Sequence, residues 1–309
     1  MSKPGKMAQN SVNQLYGRDK KKNTSGTLGK SFSTIHTQDD GPPGGTASQT
    51  GTSIFDPVLC ELAYNWFCPP GGVVLDPFAG GSVRGIVAAY LGRKYIGVEL
   101  REEQVAANRV QAVEIIRHES QGDKVSDPDA LTPVQEIGGA LPITSENAPV
   151  WHCGDSMEIS QICKGVQADF VFSCPPYADL EVYSDDPRDI STMKYGDFLL
   201  KYLEIIRQSC ELLKDNRFAC FVVGEARDSK GNYYGFVPDT IAAFREAGLQ
   251  YYNEAILVTN AGSLPIRAGK AFQASRKLGK THQNVLVFVK GDGKKAAKEC
   301  GDVYLPELA

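Results

Sequence analysis

Four short apolar runs, each ending on an acidic, glycine-rich or proline-rich turn, constrain this chain more than any other feature. Val73-Val74-Leu75 runs into Asp76, Tyr95-Ile96-Gly97-Val98 into Glu99, 149–153 into Gly154-Asp155, and 168–173 into Cys174-Pro175-Pro176-Tyr177. Apolar positions at helical spacing over 83–91 and 102–118 separate the early runs. Strands that are apolar throughout, rather than alternating, and that are joined by helices belong to a parallel sheet covered on both faces. Asp56 followed by Pro57 starts a further helix over 58–67, and Pro69-Pro70-Gly71-Gly72 stops it. Beyond the fourth turn the pattern gives a helix over 195–213, a strand over 218–223, a helix over 239–247 and strands over 255–259 and 284–289. No helix is read between the last two strands, so they close as an antiparallel pair. The expected architecture is α/β and Rossmann-like: a mainly parallel seven-stranded sheet with helices on both faces and an antiparallel last strand.

The ordered domain is expected over 53–292, with a loop insertion at 119–148, a basic loop at 260–281 and a C-terminal tail at 293–309. Residues 1–50 hold seven Lys/Arg against three Asp and only two aromatics, Tyr16 and Phe32. Such a segment cannot bury enough apolar surface to offset the entropy of ordering, so 1–52 reads as a disordered basic tail. Its net charge is +4, and since the whole chain carries −4, the remainder carries −8. That body is not a non-specific nucleic-acid coat. No apolar run reaches the roughly 18 residues of a membrane span, and the N-terminus lacks a secretory core, so a cytoplasmic location is expected. The eight cysteines include no C-x-x-C pair and read as reduced thiols, with no metal site. Nothing fixes the oligomeric state; a dimer is one arrangement open to the chain.

The turn Asp76-Pro77-Phe78-Ala79-Gly80-Gly81-Ser82 joins a strand to a helix, and Gly80 and Gly81 let backbone approach a ligand closely. It is neither G-x-G-x-x-G nor a P-loop. Glu99, nineteen residues after Gly80, suits ribose hydroxyls, and Asp155 suits the exocyclic amine of adenine. Each acid could instead only cap a helix. Three acids at successive strand ends want a ligand with amine, hydroxyl and cationic groups, whereas phosphate would want donors. S-adenosylmethionine meets that demand.

The same residues resemble the amino-group DNA methyltransferase family. The 76–82 turn is similar to its D-P-F-x-G-x-G cofactor motif, 95–99 to its second strand, and Ser173-Cys174-Pro175-Pro176-Tyr177 to its [DNS]-P-P-[YFW] active-site motif. The resemblance covers roughly 53–290. It implies a Rossmann-like methyltransferase fold, S-adenosylmethionine as cofactor and DNA as partner. Methyl transfer would go to N6 of adenine or N4 of cytosine on a flipped base, of the kind used in restriction-modification. The cofactor residues it implies are Phe55, Asp76, Phe78, Ala79, Gly80, Gly81, Ser82, Glu99, Asp155 and Ser173. The catalytic ones are Cys174, Pro175, Pro176 and Tyr177.

An exocyclic amine is a poor nucleophile while its lone pair is delocalised into the ring. A side-chain oxygen and the carbonyl between two prolines can accept its hydrogens, and the fixed φ of the prolines holds that carbonyl still. Tyr177 can stack on the base. Two positions depart from the family. Cys174 stands where it has Asp, Asn or Ser, and sulfur is a weak acceptor. Cys174 is then a Ser-like substitute that leaves the work to the Pro175 carbonyl, a nucleophile for pyrimidine C5 methylation, or the mark of a weakened site. Ser82 stands where the motif has its last Gly, which puts the loop geometry in question.

Residues 260–281 carry Arg267, Lys270, Arg276, Lys277 and Lys280 and no acid, and phosphate contact is expected there. The stretch 178–192 carries five acids and would repel phosphate. Tyr183 and Tyr195 are candidates to flank the base. An RNA methyltransferase and a catalytically degenerate nucleic-acid-binding module remain open alternatives.

Overall fold

The computed structural model describes residues 55–121, 147–177, 182–259 and 264–303. Helix α1 (Pro57–Phe67) starts where the sequence puts it: Asp56 accepts from Val58 N at 2.8 Å and Leu59 N at 3.3 Å, and Pro57 fills the first turn. The order then runs β1 (Val73–Asp76), α2 (Val83–Tyr90), β2 (Lys94–Glu99), α3 (Glu102–Gln121), β3 (Val150–Cys153), α4 (Ile159–Ile162) and β4 (Ala168–Ser173). It continues with α5 (Tyr195–Leu212), β5 (Leu213–Val223), α6 (Phe236–Glu246), β6 (Gln250–Val258), α7 (Leu264–Ser275), β7 (His282–Lys290) and α8 (Gly293–Cys300).

The seven strands form one sheet in the order β3-β2-β1-β4-β5-β7-β6. The first five are parallel, and β7 runs antiparallel to both β5 and β6. This is the Rossmann-like methyltransferase architecture expected from the sequence. The chain leaves β1 towards β2 and β3, then returns to lay β4 on the other side of β1. The carboxyl ends of β1 and β4 therefore flank a switch point, where an α/β sheet opens a crevice for ligands.

Alternate residues of the central strands go to opposite faces. Leu75, Val171, Ala219, Phe221 and Val223 join one core with Tyr202, Phe244 and Phe288. Val74, Phe170, Phe172, Phe218, Cys220 and Val222 join the other with Tyr64, Tyr95 and Trp151. All eight cysteines are free thiols, of which only Cys153 is exposed and Cys174 half-buried. Among the described residues no helix is long and apolar enough to cross a membrane, and no group of three His, Cys, Asp or Glu could hold a metal.

Two expectations need correction. The segment read as a basic loop contains α7: Ala268, Ala271 and Ala274 favour a helix, and interspersed Gly and Ser hid the pattern. The segment read as a C-terminal tail begins with α8, where Asp292 caps Lys295 N at 2.9 Å and Ala296 and Cys300, one turn apart, are buried. Strands β5 and β6 also begin earlier than the apolar runs suggested, because polar residues occupy their first halves. The N-terminal segment to Ile54 and residues 122–146 of the expected insertion lie outside the described residues.

Gly85 in α2 meets Trp151 across the core, and a Cβ there would lie 2.6 Å from Trp151 Cζ2. Gly→Ala in an open helix stabilises by up to about 1 kcal/mol. Here overpacking reverses the sign, and Gly85→Ala is expected to cost about 1–3 kcal/mol in urea unfolding.

Candidate cofactor and catalytic site

Asp76, at the end of β1, is fully buried and does not face the crevice. Its Oδ1 accepts from Ser173 Oγ at 2.5 Å and Phe78 N at 3.1 Å; its Oδ2 accepts from Arg84 Nε at 2.6 Å and Tyr95 Oη at 2.7 Å. The carboxylate expected to meet a ligand instead ties β1, β2, β4 and α2 together. Arg84 completes the tie, donating through Nη2 to Phe78 O at 2.6 Å and Ala79 O at 3.0 Å. Burial works against its charge, but Asp76 outweighs this and holds the guanidinium proton more tightly than in water. Phe55 sits behind it, the guanidinium lying 4.7 Å over its ring. Phe55 thus supports the turn through Arg84.

Gly80 takes the left-handed conformation, φ +49°. Glu99 Oε2 accepts its N–H at 2.9 Å, and Asn108 Nδ2 donates to its carbonyl at 2.8 Å, so both sides of the peptide are held. Ser82 has φ −73° and ψ −17°, ordinary helical values, so the position of the motif's last glycine needs no glycine here. Its hydroxyl meets Gln111 on α3. Gly81 is exposed, with nothing within 4 Å of where a Cβ would stand. Ala79 is buried and its N–H donates to Val98 O at 3.0 Å. Asp155 caps Met157 N at 2.9 Å, while Gly154 N donates to Glu99 O at 2.9 Å. Gly80, Glu99 and the 154–155 turn therefore line one rim, and Ser156 Oγ ties that rim to Pro77 O.

Beside it, across the Ser173–Asp76 bond, lies the 174–177 turn. Cys174 Sγ is 3.6 Å from Tyr177 Oη, which accepts from Gln283 Nε2 at 2.6 Å. Pro175 is buried and Pro176 half-buried. Tyr177 is only 6% exposed, with its ring edge against Phe236 at 6.0 Å. Burial pushes its hydroxyl well above the ordinary value, so it stays protonated. Tyr177 is packed in place rather than presented as an open face. Tyr195 stacks on Tyr234 at 4.2 Å, and Tyr183 is exposed.

On α7 and just beyond it, Lys270 and Arg276 are exposed and Lys277 and Lys280 half-buried; the side chain of Arg267 lies outside the described residues. Arg276 ends α7 with φ +57° and lies 5.0 Å over the Phe272 ring. The segment leaves β6 and enters β7 beside Val223, at the same edge of the sheet as the 174–177 turn. Sequence reasoning missed Arg84, Asn108 and Gln283. A lone charge inside the apolar run of α2 marked Arg84; nothing marked the other two.

Strand order and direction define a Rossmann-like methyltransferase fold. Residues 5–110 match the family model described as DNA methylase, of the N6/N4 class. Over that stretch, its cofactor half, the chain is similar to the amino-group methyltransferases; the match ends before the 174–177 turn. The DNA adenine methyltransferase YhdJ of Escherichia coli K12 is 53% identical over 36 residues, 12% of each protein. The chain spans only 12% and 25% of the length of the first two curated relatives it matches. Among solved structures, magnesium protoporphyrin IX methyltransferase of Synechocystis gives a TM-score of 0.45 at 11% identity, covering 92% of this chain and 91% of that one. An S-adenosylmethionine-dependent methyltransferase of Methanosarcina mazei gives 0.43 at 11%, covering 74% and 97%.

The buried ion pair yields a direct test. Arg84→Met strands the Asp76 carboxylate and is expected to cost about 3–5 kcal/mol in urea unfolding. Arg84→Lys restores the charge but not the fork that reaches Asp76 and two carbonyls, and should recover only part.

Proposed function

We propose that the chain is an S-adenosylmethionine-dependent DNA methyltransferase that modifies an exocyclic amino group, cytosine N4 or adenine N6, of a flipped base. The observation that carries the proposal is the Ser173–Asp76 bond of 2.5 Å, which clasps the Gly80 turn and the Cys174-Pro175-Pro176-Tyr177 turn at one switch point. A cofactor turn and an amine-positioning turn are useful together only if their ligands react with each other.

The rim fits the cofactor. Glu99 accepts from the Gly80 and Arg101 N–H groups and from Arg101 Nε at 3.4 Å, and Asp155 from Met157 N; a carboxylate has about four acceptor sites, so both retain capacity for a hydroxyl or amine donor. Gly81 leaves open space where a side chain would stand. Phe78 is half-buried beside them. When bound, S-adenosylmethionine supplies an electrophilic methyl group. The chain's own residues hold the acceptor: the Pro175 carbonyl takes a hydrogen of the target amine, and the two prolines fix that carbonyl's direction. Cys174, of serine-like size, closes the other side of the amine. Asp76, Ser173 and Arg84 position both turns without touching the reacting atoms. No covalent bond to the protein is required.

Purified protein with labelled S-adenosylmethionine should transfer label to duplex DNA of mixed sequence, and absence of transfer contradicts the proposal. Glu99→Gln should weaken cofactor binding in calorimetry about tenfold, since one charge-assisted hydrogen bond is worth about 1.5–3 kcal/mol. Cys174→Ser should keep activity within about tenfold, the loss that one hydrogen bond of about 1.4 kcal/mol would give. A nucleophilic cysteine would instead lose activity outright and trap a covalent DNA adduct.

A further inference from the structure

Between β5 and α6 the chain makes a tight hairpin, 227–233, closed by an Arg227–Tyr233 bridge. Asp228 N donates to Asn232 O at 2.8 Å, Gly231 N to Asp228 O at 2.9 Å, and Gly231 has φ +88°. Arg227 Nη1 donates to Gly231 O at 2.7 Å, and its guanidinium lies 3.8 Å over the ring of Tyr233, which is 47% exposed. Stacking uses the flat face of the guanidinium and Gly231 O takes one donor at its edge, so the stack itself consumes none of the others.

The hairpin stands beside the catalytic turn. Glu225, just before it, accepts Phe236 N at 3.1 Å and Val237 N at 3.2 Å, and the Phe236 ring packs on Tyr177. The end of the α7 segment closes over it from the other side: a Cβ at Gly231 would lie 2.7 Å from Lys277 Nζ. Lys280 is close enough to feel both Glu225 and Arg227. Burial holds its ammonium below the ordinary value, with Glu225 opposing this and Arg227 adding to it.

Among the described residues none of Arg227, Lys277 and Lys280 has a carboxylate within ion-pair distance, whereas Arg84, Arg188, Arg207 and Arg217 all do. The nearby Glu225 and Asp228 are engaged by backbone N–H groups, and three neighbouring cations without an ion pair make a local positive spot that would draw an anion. The mouth of a site for a flipped base is where a strand's phosphates must pass.

Resting on the DNA-methyltransferase reading, we propose that Arg227, Lys277 and Lys280 form a phosphate clamp on the DNA strand that carries the target base, with Tyr233 holding Arg227 in position.

The test is fluorescence anisotropy of a labelled mixed-sequence duplex with the full chain, across a salt series. Arg227→Gln, Lys277→Gln and Lys280→Gln should each weaken binding several-fold at about 0.1 M salt, and each should lower the slope of log K against log salt by about 0.9. Tyr233→Ala should weaken binding in wild type but add little to Arg227→Gln, and Tyr233→Phe should change neither. S-adenosylmethionine affinity, measured in parallel, should hold in every variant. Wild-type binding with unchanged affinities and slopes in the variants overturns the clamp alone. A wild-type chain that binds the cofactor but no duplex DNA overturns the reading and the clamp together. The same losses measured on an RNA hairpin, with duplex DNA unbound, would overturn the choice of DNA.

Discussion

One buried carboxylate organises this molecule. Asp76 takes hydrogen bonds from four places that are distant in sequence or direction: the turn that follows it, α2 through Arg84, β2 through Tyr95 and β4 through Ser173. A charge in a water-free core is costly unless it is matched and every lone pair is used. Here a guanidinium, two hydroxyls and one amide do both. The register of β1 against β2 and β4, the path of the glycine turn and the start of the 174–177 turn become one problem with one solution.

The consequence is a division of labour among acids that look alike in the sequence. Asp76 and Glu99 end strands and Asp155 lies in the turn after one, yet Asp76 is sealed inside while Glu99 and Asp155 are half-buried at the rim. The difference comes from Arg84 and Tyr95, which reach Asp76 from neighbouring elements. Gly80 shows the same logic at the level of one peptide, its N–H held by β2 and its carbonyl by α3. The crevice is shaped by these tertiary bonds as much as by the motif itself.

The central strands and the Asp56-Pro57 helix start were legible because strand burial and capping are local signals; the closing pair is antiparallel as expected, although α7 stands between the two strands where no helix was read. Ser82 was questioned because a motif compares letters, while the backbone at that position is plain helix and the left-handed residue is Gly80. Helices α7 and α8 were misread as loop and tail: their composition is polar, and α8 owes its place to Ala296 and Cys300 packing into a core assembled by distant strands. Asn108 and Gln283 act through single long-range hydrogen bonds, which leave no trace in spacing or composition. Of the cations at the hairpin, Lys277 and Lys280 were legible in the basic 260–281 segment, while Arg227 is brought to them only by the tertiary packing of the 227–233 hairpin.

On the proposed function, the clasped turns serve transfer of a methyl group to an amino nitrogen of a DNA base. Nucleoside mass spectrometry on DNA incubated with the purified chain and isotopically labelled S-adenosylmethionine tests it most directly. The account predicts label in N4-methylcytosine or N6-methyladenine. Label in 5-methylcytosine, or none in any nucleoside, would contradict it.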